Sequence, residues 1–219
     1  MYENYRLFRV FAFDSDGVQN RSHVAALAQA NLLFEQHRLS VRLAYPDLID
    51  WNTLSQVATQ HLGSQIASQI NQCCWYTPEV LRKAPPEPGV LKAMAFLNRL
   101  PQAQVHTITT RLPHLRECTQ DWYAQHAPWM NDGRLHLREN TQCTGDEFKL
   151  ATARELKVSW FVEDNADTFD LLSKNGIPAT LISRPWNSLR RDLDQYRSEP
   201  GFWPIVIRGL SAYIKPKTY

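Results

Sequence analysis

Two carboxylates, Asp14 and Asp16, stand one residue apart in Phe11-Ala12-Phe13-Asp14-Ser15-Asp16-Gly17-Val18, where an apolar run delivers both into a glycine turn, an arrangement that can do chemistry. Glu163-Asp164-Asn165, with Asp167 close behind, is a second acidic group and offers the oxygen ligands that a hard cation such as Mg2+ prefers. Thr107-Ile108-Thr109-Thr110-Arg111 supplies hydroxyls and a guanidinium suited to an anion, and Lys149 adds a single cation. Each group has a plainer reading taken alone. Asp14 to Gly17 suits an Asx turn, Asp167 suits a helix cap, Thr109 to Arg111 suits a β-branched strand end, and Lys149 suits a solvated helix face.

The elements around these residues decide whether they can meet. Leu7 to Phe13 is a short apolar run stopped by Asp and Gly, so it reads as a buried strand with Asp14 and Asp16 leaving on one side. Gln104 to Thr109, Val158 to Val162 and Ala179 to Ile182 read as further strands. Crossover helices are expected over Val90 to Arg99, Leu112 to Gln125, Asp146 to Leu156 and Asp167 to Asn175, the last closed by Gly176 and Pro178. Arg134 to Leu137 and Ile205 to Arg208 read as short strands, Gly201 to Ile207 reads as a closing edge strand, and Leu210 to Ile214 reads as a short helix. This alternation predicts an α/β fold with a parallel sheet flanked by helices.

About ninety residues separate the first strand from the second, more than one crossover needs. Ser22 to His37, Asp47 to Leu62 and Ser64 to Trp75 carry apolar residues at helical spacing, and Ala84-Pro85-Pro86-Glu87-Pro88-Gly89 is a stiff return linker. The expected organisation is a core of residues 1–18 and 85–219 with a helical module, residues 19–84, inserted into it.

Composition narrows the partners. The chain has 219 residues, 43% hydrophobic and 21% charged, which fits one core plus a small insertion. A net charge of +2 and no basic stripe argue against stable nucleic-acid binding. No apolar run is long enough for a membrane span and the first residues do not open a signal peptide, so a cytoplasmic protein is expected. Cys73, Cys74, Cys118 and Cys143 lack paired Cys-x-x-Cys spacing and read as free thiols, with a zinc site built from them and His106, His114 or His126 as the competing reading.

Taken in order, Asp14-Ser15-Asp16-Gly17-Val18, Thr109, Lys149 and Glu163-Asp164 resemble the four motifs of the haloacid dehalogenase-like superfamily. The helical insertion after the first motif is similar to that superfamily's C1-type cap. A narrower likeness, to the 5′(3′)-deoxyribonucleotidase branch, rests on the first motif, on Pro86-Glu87-Pro88-Gly89-Val90 and on Arg184-Pro185-Trp186-Asn187. The chain departs from that branch at Thr109-Thr110-Arg111, where mammalian members have a Thr-Ser-Pro-like run, and at Glu163, where they have Asp.

The resemblance implies a Rossmann-like core and a Mg2+-dependent phosphatase acting on a small phosphorylated substrate, a nucleoside monophosphate above others. It implies Asp14 as nucleophile and Asp16 as the residue that holds a proton for the leaving group. Metal binding would fall to Asp14, the carbonyl of Asp16, Glu163 and Asp164, and phosphate binding to Thr109, Thr110 and Lys149. Phe34, Tyr45, Trp51, Trp75 and Tyr76 are candidates to stack on a base, against the competing reading of helical core, while Arg21 and Arg111 are candidates for phosphate or ribose. A phosphatase of sugar phosphates or other small esters, a non-catalytic binding protein on the same fold and a nucleic-acid 3′-phosphatase are the alternatives. A homodimer is left open.

Overall fold

Strand formation is set by short apolar runs that end in polar turns, and six of them pair in parallel among the described residues, 9–130 and 133–214 of a computed structural model. They are β1 (Arg9–Phe13), β2 (Ala103–Thr109), β3 (Leu135–Leu137), β4 (Val158–Glu163), β5 (Ala179–Ile182) and β6 (Arg197–Ser198). Leu7 and Phe8, placed in the first strand by the sequence, lie outside the described residues. The sheet runs β3-β2-β1-β4-β5-β6, so strand order reverses at β1, the place where open α/β sheets leave a crevice at their carboxyl ends. Phe13 is in register with Thr107 of β2 and Val162 of β4, so the polar residues that follow each strand emerge side by side.

Helices α1 (Ser22–Gln36), α2 (Thr53–Leu62), α3 (Ser64–Trp75) and α4 (Pro78–Arg82) lie between β1 and β2 in the chain. Helices α5 (Val90–Leu97), α6 (Arg116–His126), α7 (Gly145–Glu155), α8 (Ala166–Lys174) and α9 (Phe202–Ile214) flank the sheet. On one face Phe11, Phe13, Val105 and Trp160 pack with Met94, Leu97, Trp122 and Ile205. On the other, Val10, Ala12, Ile108 and Phe161 pack with Ala153 of α7 and Leu172 of α8.

The inserted helices have their own cluster, built from Ala26, Ala30, Phe34, Leu54, Ala58, Ile70 and Cys74. Residues 26, 30 and 34 recur every fourth position and form the inward stripe of α1. Phe34 is therefore core and fully buried, which corrects its reading as a base-stacking residue. The two crossings between this module and the sheet are tied together. Arg21 N–H donates to Pro85 O at 2.8 Å, Glu87 N–H donates to Gln19 O at 2.8 Å, and Arg184 pairs with the Glu87 carboxylate.

Phe202 to Arg208 is helical, the first part of α9, not a closing strand. The β-branched run Ile205-Val206-Ile207 suggested a strand, but Ile205, Val206 and Gly209 are buried while Trp203 and Ile207 face outward, which is helical spacing. Pro204 is tolerated because it sits in the first turn, where no intrahelical N–H is needed. The edge place in the sheet belongs to β6. Asn165, not Asp167, caps α8: its side chain accepts from the N–H groups of Asp167 and Thr168. No described helix is long and apolar enough to cross a membrane.

Candidate active site

The first strand delivers Asp14 into a turn that has little freedom. Asp14 N–H donates to Val162 O at 2.9 Å, and the Gln19 amide donates to Asp14 O at 2.9 Å and to Thr107 Oγ1 at 2.8 Å. Gly17 has φ +71, and a β-carbon there would lie 1.9 Å from Asp164 Oδ2, so only glycine lets the turn approach β4 this closely. Asp164 is fixed from the far side by Trp186 Nε1, which donates to Oδ2 at 3.1 Å, and by the Asn187 amide, which donates to its carbonyl at 2.8 Å.

Lys149 enters from the first turns of α7, a helix set by the Thr144/Glu147 capping box. Its Nζ lies 2.9 Å from Asp14 Oδ2 and 2.7 Å from Glu163 Oε2, with all three groups buried. Glu163 Oε1 accepts from the N–H groups of Asp164 and Asn165 at 3.0 and 3.1 Å. Asp14, Glu163 and Asp164 each bring one oxygen within 4.8 Å of the others, a set of hard donors that suits Mg2+. Three buried carboxylates facing one ammonium leave an excess of negative charge, which a divalent cation would neutralise.

Burial governs the charge states. It pushes Asp14 up to about 8 against the pull of Lys149, with Glu163 adding to the rise. Burial raises Asp164 as well, with Glu163 and Asp14 adding to it. For Lys149 the loss of solvent is outweighed by Asp14 and Glu163, and the ammonium is held well above its ordinary range. Asp16 goes the other way. Burial would raise it, but the Arg111 charge and its hydrogen bonds overcome this and hold the carboxyl below the usual range. Arg111 donates to Asp16 from Nε at 2.9 Å and from Nη2 at 2.6 Å, and to Thr119 Oγ1 at 3.1 Å. The two carboxyls are thus pushed in opposite directions, Asp14 upward and Asp16 downward.

These groups form the floor of a cleft of about 440 Å³. Asp14, Asp16, Thr110, Arg111, Lys149 and Asp164 line it, as do Trp51, Trp75 and Tyr76 on the helical side. Glu163 is fully buried and does not line the cleft. Thr109 is buried too, its Oγ1 accepting from Arg111 N–H at 3.4 Å, and Thr110 is the threonine that lines the cleft. Arg111 is committed to Asp16, which corrects its reading as a free contact for phosphate or ribose. Two further candidates stand elsewhere. Tyr45 packs on His23 and Trp186, with ring centroids 5.0 and 6.3 Å away, and Arg21 sits at the chain crossing; neither lines this cleft.

Trp51 packs tilted against Trp186 with ring centroids 4.6 Å apart and edge-on against Trp75 at 5.0 Å, and the Trp75 indole N–H is buried without a partner among the described residues. Asn52, Asn71 and Arg138 also line the cleft and were not singled out from the sequence. Arg138 was findable, because it directly follows a strand and strand ends are where this architecture puts ligand contacts. The two asparagines had no such signal. Trp186 and Arg184 stood in a motif already noted, yet their task of bracing Asp164 and Glu87 needed the fold.

No family sequence model matches the chain, and no curated protein sequence matches it. Solved structures do. A protein from Clostridium acetobutylicum described as a predicted phosphatase aligns with a TM-score of 0.65 at 9% identity, over 94% of this chain and 99% of that one. A haloacid dehalogenase-like family hydrolase from Streptococcus pneumoniae aligns with a TM-score of 0.63 at 11% identity, over 95% and 99%. CbbY from Rhodobacter sphaeroides, solved in complex with phosphate, aligns with a TM-score of 0.53 at 12% identity, over 80% and 86%. The chain thus has the Rossmann-like α/β fold of haloacid dehalogenase-like hydrolase structures.

Proposed function

We propose that this protein is a Mg2+-dependent phosphatase that cleaves small phosphate esters through an aspartyl-phosphate on Asp14, with nucleoside 5′-monophosphates as its preferred substrates. The observation that carries the reading is the floor of the cleft, where Asp14 lies 2.9 Å from the buried Lys149 ammonium and shares an acidic trio with Glu163 and Asp164. Asp14 and Asp164, with the carbonyl of Asp16, would hold the ion, and Glu163 would support them from behind while orienting Lys149. When bound, the ion supplies positive charge that keeps Asp14 ionised and neutralises phosphate oxygens.

Asp14 attacks phosphorus, the ester oxygen leaves with a proton, and water then displaces phosphate from Asp14. Lys149 offsets charge on the transferred group, and the Thr110 hydroxyl donates to one of its oxygens. Asp16 hands the proton to the leaving alkoxide and recovers one from the attacking water. The bonds from Arg111 favour the carboxylate form of Asp16, which takes the proton of the attacking water and, protonated in that way, would serve as the acid for the next leaving alkoxide. A dehalogenase would need no acid at this position.

The helices of residues 19–84 act as a cap, pivoting where residues 18–21 and 84–87 are bonded to one another. Trp51 and Trp75 supply flat apolar surface, while the unpartnered Trp75 N–H and the side chains of Asn52 and Asn71 supply polar contacts for the leaving group. That combination supports a heterocyclic leaving group over a simple polyol. The test is phosphate release from ribo- and deoxyribonucleoside 5′- and 3′-monophosphates, sugar phosphates and an aryl phosphate, with Mg2+ or chelator. Mg2+-dependent release favouring nucleoside 5′-monophosphates is expected. Release from sugar phosphates alone would replace the substrate, and no release from folded, Mg2+-loaded protein would replace the enzyme with a binding protein.

A further inference from the structure

We infer that Arg138 is a phosphate-binding residue, a third cation placed for the transferred group one strand beyond Thr110. The inference rests on the phosphatase reading for the identity of the anion, but its geometry is independent of turnover. Thr109 of β2 is in register with Leu137 of β3, so Thr110 and Arg138 leave neighbouring strand ends together, about one strand spacing apart. Strand parity puts them on the same side of the sheet. Val10, Ala12 and Ile108 pack on the face covered by α7, and His106 of β2 meets His136 of β3 at 2.9 Å; counting by twos carries Asp14, Thr110 and Arg138 to that face. Lys149 reaches the cleft from α7 itself. Gly145, at the start of α7, closes over Thr110, where a β-carbon would come within 2.8 Å of Thr110 Cγ2.

Charge bookkeeping gives Arg138 its task. The cleft is lined by Asp14, Asp16, Asp146 and Asp164, with the buried Glu163 on Lys149, and a phosphate monoester would add further negative charge. Of the cations lining it, Lys149 is spent on Asp14 and Glu163, and Arg111 on Asp16. Arg138 makes no ion pair among the described residues: Nη2 donates to the Cys143 carbonyl, which holds the guanidinium in place, and Nε is buried with no partner. A buried N–H donor without an acceptor beside an anion site is a contact awaiting the anion.

The test measures binding of inorganic phosphate to Mg2+-loaded protein by titration calorimetry, so that it does not depend on turnover. Arg138→Met should weaken phosphate binding about tenfold, the loss of one charge-assisted hydrogen bond, and Arg138→Lys should recover part of it. Mg2+ affinity and circular dichroism should stay as in the parent, which separates lost contact from lost fold. Arg138→Met binding phosphate within about twofold of the parent would overturn the assignment, as would failure of the parent to bind phosphate. If the parent binds phosphate through Arg138 yet hydrolyses no ester, the residue's role stands and the hydrolase reading falls.

Discussion

Lys149→Met removes one ammonium and keeps the stem, and the structure fixes what it should cost. Lys149 is 3% exposed and Glu163 is 0% exposed, with 2.7 Å between Nζ and Oε2. Removing one partner of such a buried pair costs ~3–5 kcal/mol. Glu163 keeps its two backbone N–H donors, which puts the expected loss at the low end, about 3 kcal/mol. At ~2–4 °C per kcal/mol for a chain of this size, Tm in chelator should fall by about 6–12 °C. Because the folded-state pKa of Lys149 is raised, its contribution is fully present below the unfolded value and is lost only as pH rises through the folded one. A neutral buffer therefore reads all of it. Mg2+ should reverse the ranking of effects: without the competing ammonium the acidic trio binds the ion more tightly, so Mg2+ should raise Tm more in the variant than in the parent. Differential scanning calorimetry with chelator and with excess Mg2+ gives both numbers. A Tm within about 1 °C of the parent in chelator, or a smaller Mg2+-induced rise, would refute the reasoning.

Three other expectations follow from the same site. Asp14 and Asp164 must both lose protons to bind a cation, so Mg2+ affinity should climb as pH rises toward about 8, with proton release visible as a buffer-dependent binding enthalpy; affinity constant over neutral pH would oppose this. The metal-free protein should correspondingly lose stability as pH rises through that range, since an acid with a raised folded pKa is penalised on ionising. Arg111→Met should raise the Asp16 pKa and move the basic limb of the pH profile of kcat/KM to higher pH, with an unmoved limb as the contrary result. Gly17→Ala combines a left-handed backbone, costing ~1–2 kcal/mol, with a β-carbon 1.9 Å from Asp164 Oδ2, so it should abolish Mg2+ binding before it abolishes folding; calorimetric Mg2+ titration checks this.

Local sequence was informative wherever one strand carried the signal. Phe11 to Gly17, Val158 to Asp164 and Thr107 to Arg111 could be placed at strand ends because apolar runs stop abruptly at polar residues, and the sheet brings those ends together. What the sequence left unread depends on contacts between distant segments. The Arg111–Asp16 pair spans β2 and β1, and it turns a candidate substrate contact into the group that fixes the charge of Asp16. The Arg184–Glu87 pair joins two motifs whose connection no spacing reveals. Phe34 and Trp51 look alike as aromatic residues near helices, and only the packing of α1 against α2 and α3 separates core from cleft. The tail misled for the opposite reason: Ile205-Val206-Ile207 has strand-like composition, and burial against α5 selects the helix.

The central claim is that Asp14 carries the phosphoryl group. It is tested most directly by acid-quenching the Mg2+-loaded protein during turnover of the best nucleoside monophosphate and mapping phosphoryl adducts by peptide mass spectrometry. The account predicts an acid-stable, hydroxylamine-labile adduct on Asp14 that is absent with chelator and absent in Asp14→Asn, whose phosphate release falls by several orders of magnitude. Undiminished release from Asp14→Asn, or an adduct on another residue, would contradict it.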